Sequence, residues 1–352
     1  MTRRINFMGI SFGLLMLVML FLLQPAGTAM IASMASTPAA TSDGLSNLYP
    51  VRVNGKYGYI NQTGKLVIDP QYQIAADFSE GLARVLPGDK GATSKWGYID
   101  NTGKLIVQPK YNFSLDFQEG LALVQVNGKL GFIDKTGRQA IKPLYDDAYS
   151  FSDGLAMVQV GNKWGYIDKT GKLAIRLQFE DAYPFSEGLA LVQLNGKLGF
   201  IDGKGKAVIQ PQYDLAYSFS DGLAMARVDG RRGYIDKTGK TVITPKYLGA
   251  GSFREGLAIV LVGNKWGYID HTGTLIIQPQ YDDALPASDF QEGRAAVLIG
   301  GKYGYIDHTG TLIIQPQYDD ASPFNDGLAM VTVDGKNGYI DTTGKRVWGF
   351  GN

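Results

Sequence analysis

The stretch GYIDHTGTLIIQPQYDDA occupies residues 267–284 and recurs unchanged at 304–321, 37 positions later. A catalytic site needs one set of groups, so an unaltered copy points to architecture. The glycine that opens the stretch recurs as Gly58, Gly97, Gly131, Gly165, Gly199, Gly233, Gly267, Gly304 and Gly338, at steps of 39, 34, 34, 34, 34, 34, 37 and 34. A period of about 20–50 residues marks a solenoid, a propeller or a related array. Nine units therefore cover 47–352, and the identical pair reads as the most recent duplication.

One unit, 120–153, reads GLALVQVNGKLGFIDKTGRQAIKPLYDDAYSFSD. Asn127-Gly128 lies between two β-prone runs and predicts a hairpin, because both turn residues need φ > 0. The equivalent pairs are Asn54-Gly55, Gly161-Asn162, Asn195-Gly196, Asp229-Gly230, Gly263-Asn264, Gly300-Gly301 and Asp334-Gly335, each suited to a type I′ turn. The second unit lengthens this turn with LPGDKGATS, which accounts for the step of 39. In the next turn, DKTG, Gly137 suits a left-handed position and Asp134 can accept backbone amides. RQAIK predicts a third strand. Pro143 is expected to end its ladder, having no N–H to donate. DDAYSFSDG then loops into the following unit. Each unit is thus expected to be a three-stranded antiparallel meander of about 34 residues, without helix.

Aligning the units separates frame from surface. The Val124 column holds valine in eight units and Ala226 in the sixth, and the Ile133 column holds isoleucine in all nine. The Phe132 column is always Tyr or Phe. Strands alternate faces, so Gly131 and Ile133 share one face and Phe132 takes the other. A glycine inside a strand marks close approach of another backbone, and the nine glycines are expected to receive neighbouring units.

Charge is balanced, 34 Lys+Arg against 33 Asp+Glu, with no basic stripe, so nucleic acid is not an expected partner. The absence of Cys excludes disulfides, Cys–metal sites, thiol catalysis and a lipoprotein anchor. At the N-terminus, MTRR precedes the apolar run INFMGISFGLLMLVMLFLL and the small-residue stretch QPAGTAMIASMASTPAAT. This is the layout of a secretory signal peptide, with Ala29 and Ala35 as candidate cleavage points. The run also approaches the roughly 17–25 residues that span a bilayer. Residues 1–36 are therefore read as a signal peptide or an N-terminal membrane anchor, and 37–46 as a linker. Either way the array is expected outside the cytoplasm, as a secreted, periplasmic or cell-surface protein. Membrane contact would come only through an uncleaved N-terminal segment.

KWGYIDKTGK at 163–172, KWGYIDNTGK at 95–104 and KWGYIDHTGT at 265–274, with the downstream P-x-Y and F-S-[DE]-G-L-A elements, closely resemble the WG-repeat (KWG-repeat) family of bacteria. The resemblance covers about 47–352. It implies a β-rich repeat array acting as a binding or interaction module, without an established reaction. The chain departs from the pattern where Leu130, Leu198, Arg232, Asn337, Tyr57 and Tyr303 replace the tryptophan. It departs again at RLQFEDA, 176–182, which lacks the proline and tyrosine, and where GKGK replaces the KTGK turn of unit five.

Catalytic and metal sets are not found. His271 and His308 are the only histidines and lie at a polar turn position, read as solvated; two ligands fall short of a metal site. GKT at 239–241 lacks the glycine spacing of a phosphate loop. DKTG carries one residue more than the aspartic-protease D-T-G, and G-x-S-x-G is absent. The acidic pairs Asp146-Asp147, Glu180-Asp181, Asp282-Asp283 and Asp319-Asp320 could meet calcium between units, but lack the ligand series of a calcium loop. They are read as charged, solvated loops. No catalytic residue, metal ligand or cofactor is assigned.

One column varies beside the invariant glycine. Its aromatics, Tyr57, Trp96, Trp164, Trp266 and Tyr303, form the candidate binding stripe, with packing on their own sheet as the competing role. Recognition requires exposed rings, and Trp164→Ala would then cost under about 1.5 kcal/mol, against roughly 3–5 for a buried aromatic.

The expected fold is an all-β tandem array of nine three-stranded units forming an open curved solenoid, with a closed propeller-like toroid as the alternative. The expected function is an exported, non-catalytic scaffold that binds a protein or cell-envelope partner. A glycan- or cell-wall-binding module is the alternative, and a hydrolytic enzyme of unknown type the third class. N-terminal sequencing of the exported protein should find a start between about 27 and 37; a membrane-bound form beginning at Met1 would select the anchor.

Overall fold

The structure, a computed structural model, describes residues 47–88, 95–282 and 289–350. The leader, the linker, the tip of the second unit's long turn and Asp283 lie outside them. All regular elements of the described residues are β-strands.

The fourth unit shows the plan. Its first strand, Leu155–Val160, pairs antiparallel with its second, Lys163–Asp168, placing Val158 opposite Gly165. The hairpin turns follow their sequences. Asn127 and Gly128 take φ of 50° and 79°, as type I′ requires. Gly161-Asn162 and Gly263-Asn264 depart from that expectation. There only the glycine has positive φ, 64° and 63°, the type II′ pattern. The following turn closes on its aspartate: Asp134 Oδ1 accepts the Thr136 and Arg138 amides at 2.9 and 3.0 Å, and Gly137 takes φ of 80°.

The third strand corrects two expectations. It runs through the proline, as in Gln139–Tyr145, with a register shift at that point. Proline is tolerated there because a bulge frees its position from the ladder. The invariant glycine receives this same bulge and not a neighbouring unit. A Cβ on Gly131 would stand 2.6 Å from Ile141 O and 2.7 Å from Pro143 N. A further correction concerns strand number. The acidic segment after the third strand is itself a short strand, as in Asp147–Ala148, which pairs with the next unit's first strand. Most sheets therefore have four strands, not three.

The described strands form eight sheets, and the first, six-stranded, contains two of the sequence units. These sheets are the blades of a closed, eight-bladed β-propeller. The open solenoid of nine three-stranded repeats is overturned by contacts that join the chain's two ends. Each turn glycine sits on the third strand of the preceding unit, as Gly171 on Ile141, 3.0 Å from its Cγ2 for an added Cβ. Gly64 of the first unit sits in the same way on Val347 of the last. Tyr49 Oη donates to Asp326 O at 2.6 Å, and Tyr339 Oη to Pro50 O at 3.2 Å. Tyr49, Val51, Ile60, Leu328 and Tyr339 share one buried cluster.

The core lies between units. Phe132 packs on Phe151, at the end of its own unit, and on Ala156, Val158 and Ile167 of the next. The second strand is thus buried on both faces, its aromatic toward one neighbour and its isoleucine toward the other. All nine isoleucines are buried. Eight aromatics meet the phenylalanine that leads into the next unit, from Tyr59–Phe78 to Tyr305–Phe324, at 4.7–5.2 Å between centroids. At the seam Tyr339 meets Tyr49 instead, at 5.6 Å.

Because the seam is packed like the other interfaces, Tyr339→Ala should cost about 3–5 kcal/mol in urea denaturation, as Tyr166→Ala should. A much smaller loss for Tyr339→Ala alone would mean the ends part in solution.

Candidate functional site

The recurring charged groups are spent on geometry. The lysine before the variable column reaches the first acid of the acidic pair: Lys129 to Asp146 at 2.5 Å, Lys197 to Asp214 at 2.6 Å and Lys302 to Asp319 at 2.5 Å. Lys265 pairs likewise with Asp282. The same acids cap the next hairpin turn, Asp146 accepting Gly161 N at 2.8 Å and Glu180 accepting Gly196 N at 2.8 Å. The Lys129 ammonium and the Gly161 amide together hold the Asp146 carboxyl below its usual range.

A second set of acids was missed in the sequence: the [DE] of F-S-[DE]-G. These residues adopt left-handed backbone, with φ of 51° at Asp153 and 53° at Glu119. Each accepts the glycine amide of the following unit, Asp153 from Gly188 and Asp221 from Gly256, both at 2.8 Å. Their recurrence at a fixed distance after the phenylalanine was the available signal. The polar turn position meets these acids: Lys135 pairs with Glu80 at 3.1 Å and His308 stands 3.3 Å from Glu255. His271 and His308 also stack on Phe253 and Phe290, centroids 4.4 and 4.3 Å apart, so neither is a simply solvated turn residue. Among the described residues, no group of three or more His, Cys, Asp or Glu is placed to hold a metal.

The structure divides the variable aromatic column. Trp164 and Tyr303 are core residues, 5% and 7% exposed. Trp164 packs with Tyr166, Ile175 and Phe179. Tyr57, Trp96 and Trp266 are half-buried and packed against their own clusters. Arg84 lies 5.0 Å over the Trp96 ring, and the Trp266 ring covers Gly249, where no Cβ would fit. Trp164 and Tyr303 therefore cannot present open ring faces, because each is packed within a buried cluster.

Another aromatic row is more open. Tyr149, Tyr183 and Tyr217 stand at the same position of consecutive units, two residues before the core phenylalanine, and Tyr183 and Tyr217 are each 36% exposed. Beside them lie the second acids, Asp147 and Asp181. Burial pushes both carboxyls up, opposed by the Ala148 and Ala182 amides. The row escaped notice because the segment reads as a loop.

Aspartates also precede the core phenylalanine in three units. Asp116 pairs with Arg84 at 2.7 Å. Asp289 stands 3.7 Å from Arg254, yet burial raises its carboxyl to about 6. A cavity of about 200 Å³ opens in unit six, at Ala226 of the valine column, lined by Gln212, Tyr213, Tyr234 and Thr241 among others; no carboxylate, lysine or arginine lines it.

A family model described as "WG containing repeat" matches residues 57–90, 96–129, 131–164, 164–197, 199–231, 233–266, 266–303 and 303–336. No curated protein matches the chain. Among solved structures, dihydro-heme d1 dehydrogenase NirN in complex with DHE is similar at 14% identity and TM-score 0.44, over 91% of this chain and 76% of that one. Hsv2 of Kluyveromyces lactis is similar at 10% identity and TM-score 0.41, over 66% and 94%. Apo AztD of Citrobacter koseri is similar at 14% identity and TM-score 0.37, over 86% and 93%.

Two measurements follow. Trp164→Ala should cost about 3–5 kcal/mol in chemical denaturation, as buried aromatics do, in place of the small cost expected of an exposed ring. Asp289 has a folded pKa above its unfolded value, so its ionisation lowers stability as pH rises from about 4 through about 6. Asp289→Asn should therefore flatten the melting temperature over that window and raise it at pH 7.

Proposed function

Because the chain belongs to the WG-repeat family, we propose that it is a binding module, exported from the cytoplasm, and not an enzyme. One observation carries this reading: most of the recurring carboxylates, with the lysines and turn threonines that face them, are occupied in clamps within and between units. Lys129, Asp146 and the Gly161 amide form one such clamp, and Asp153 with the Gly188 amide another. Groups held this way supply rigidity, whereas catalysis asks for a nucleophile and a base converging on open space. The second-strand tyrosine hydroxyls of Tyr59, Tyr98, Tyr166, Tyr234 and Tyr305 are equally engaged, each donating to a backbone carbonyl, whereas Tyr247 Oη is buried without a partner. Tyr166 Oη donates to Tyr183 O at 2.8 Å, and burial pushes its pKa up, away from any proton-transfer role near neutrality.

A closed ring of like units offers a rigid display surface, and rigid display favours binding because little order is lost on association. The partner is a component of the cell envelope. Export follows from the charged and apolar N-terminal segments.

The test is co-sedimentation of the purified protein with cell-envelope material. Saturable binding without chemical change of the bound material is expected. Turnover of any envelope component that survives repurification, and is lost with the protein, would overturn the non-catalytic reading.

A further inference from the structure

Resting on the reading of the chain as a binding module, we infer that Asp147, Tyr149, Asp181, Tyr183 and Tyr217 form a docking strip for an extended polysaccharide chain.

The strip is built by repetition. Tyr149, Tyr183 and Tyr217 precede Phe151, Phe185 and Phe219 by two residues, and those phenylalanines are buried between units. Other described units carry Ala76, Leu115, Gly251 or Ser322 at this position, so the tyrosines are confined to three consecutive units. Their backbones are fixed. Tyr149 N donates to Met157 O at 3.1 Å, Tyr183 N to Leu191 O at 3.0 Å and Tyr217 N to Met225 O at 2.9 Å. Neighbouring segments are tied together, Ser152 Oγ to Phe185 O at 2.7 Å and Ser186 Oγ to Phe219 O at 2.8 Å. Tyr149 is half-buried, its ring 6.1 Å from that of Trp164. The buried tryptophan thus supports the first ring of the strip.

The two acids select the ligand chemistry. Asp147 is 6% exposed and accepts one hydrogen bond, from its own neighbour Ala148 N at 2.8 Å. Asp181 accepts Ala182 N at 2.9 Å and interacts with the Tyr183 hydroxyl. Among the described residues neither has a cationic partner, whereas Asp146, next to Asp147, and Asp214, at the equivalent position two units on, each hold a lysine. A buried carboxylate with spare acceptor capacity is costly until a donor meets it. Ligand hydroxyls would supply that donor, and tyrosine faces would cover the C–H faces of pyranose rings. Polyhydroxylated rings meet both demands at once. A Lys- or Arg-rich peptide fits less well, because burial disfavours the ionised carboxylates that ion pairing needs. Leu215 replaces the acid in the third unit, so Tyr217 adds stacking alone. Three like stations in a row favour a chain over a single sugar.

The test uses the full-length purified protein and β-1,4-linked N-acetylglucosamine and glucose oligomers of two to six rings. Tryptophan fluorescence is the readout, since Trp164 lies beside Tyr149. Affinity for at least one series should rise about tenfold or more from two to six rings, as successive stations are occupied. Tyr183→Ala and Tyr217→Ala should each weaken hexamer binding about fivefold or more at unchanged melting temperature, and Tyr183→Phe should keep most of it. Tyr217→Ala carries the test if Tyr183→Ala folds poorly. Absence of oligomer binding, affinity independent of length, or hexamer binding indifferent to both alanine variants would overturn the strip. Binding of a Lys/Arg-rich peptide without oligomer binding would overturn the polysaccharide assignment and spare the binding-module reading. Hydrolysis of the hexamer together with length-dependent, Tyr183-dependent binding would do the reverse.

Discussion

The interface between one unit and the next is the interaction on which the rest of the structure depends. A single unit cannot bury its second strand alone, since that strand presents an aromatic on one face and an isoleucine on the other. Phe132 finds Phe151 and Ile167, and the pattern passes from unit to unit. Stability in such arrays is a sum of unit and interface terms, and a linear array would leave one aromatic face and one isoleucine face open at its ends. Closure removes both. Tyr49 makes it possible: it stands in the column that is alanine in the other eight units, and its ring takes the phenylalanine's place against Tyr339.

The polar network is subordinate to this stacking. Exposed ion pairs such as Lys129–Asp146 contribute about 0–1 kcal/mol each. Their value lies in direction, because Asp146, Asp282 and Asp319 also satisfy backbone amides that a tight turn would otherwise leave unpaired. Asp134, for example, accepts a hydroxyl and two amides within one turn, and the Thr136 hydroxyl leads in holding its carboxyl below the usual range. Repetition of acids in this chain therefore reflects repetition of turns. Asp147 and Asp181, like Asp320, accept no amide but their own neighbour's, and of these three they are the ones followed by a tyrosine two residues on. They lie beside the tyrosine row and give the ring a local feature on one group of blades.

Much of this was legible in the residues. The period, the hairpins at Asn-Gly and Asp-Gly, the aspartate turn and the buried isoleucine column all follow from local rules: left-handed φ at the turn residues and two-residue alternation along the strand. The family itself was readable from KWGYIDKTGK and its copies. The acidic segments were read as loops because a two-residue strand such as Asp147–Ala148 carries no alternation of its own and exists only through its partner, Val158 and Gln159. The candidate site suffered from the same limit. A column that varies beside an invariant glycine looks like a recognition surface, yet Trp164 is buried among Tyr166, Ile175 and Phe179.

What the sequence determined by itself was the unit: its strands, its turns and the two apolar faces of its second strand. These depend on residues within about ten positions of one another. What only the tertiary structure decided was closure, the fourth strand, the burial of Trp164 and Tyr303, and the exposure of Tyr183 and Tyr217. Each depends on residues brought together from other units. The bond from Tyr49 to Asp326 spans 277 positions. A periodic sequence specifies the step from unit to unit only through packing, and the accumulated turn of those steps brings the last unit back to the first.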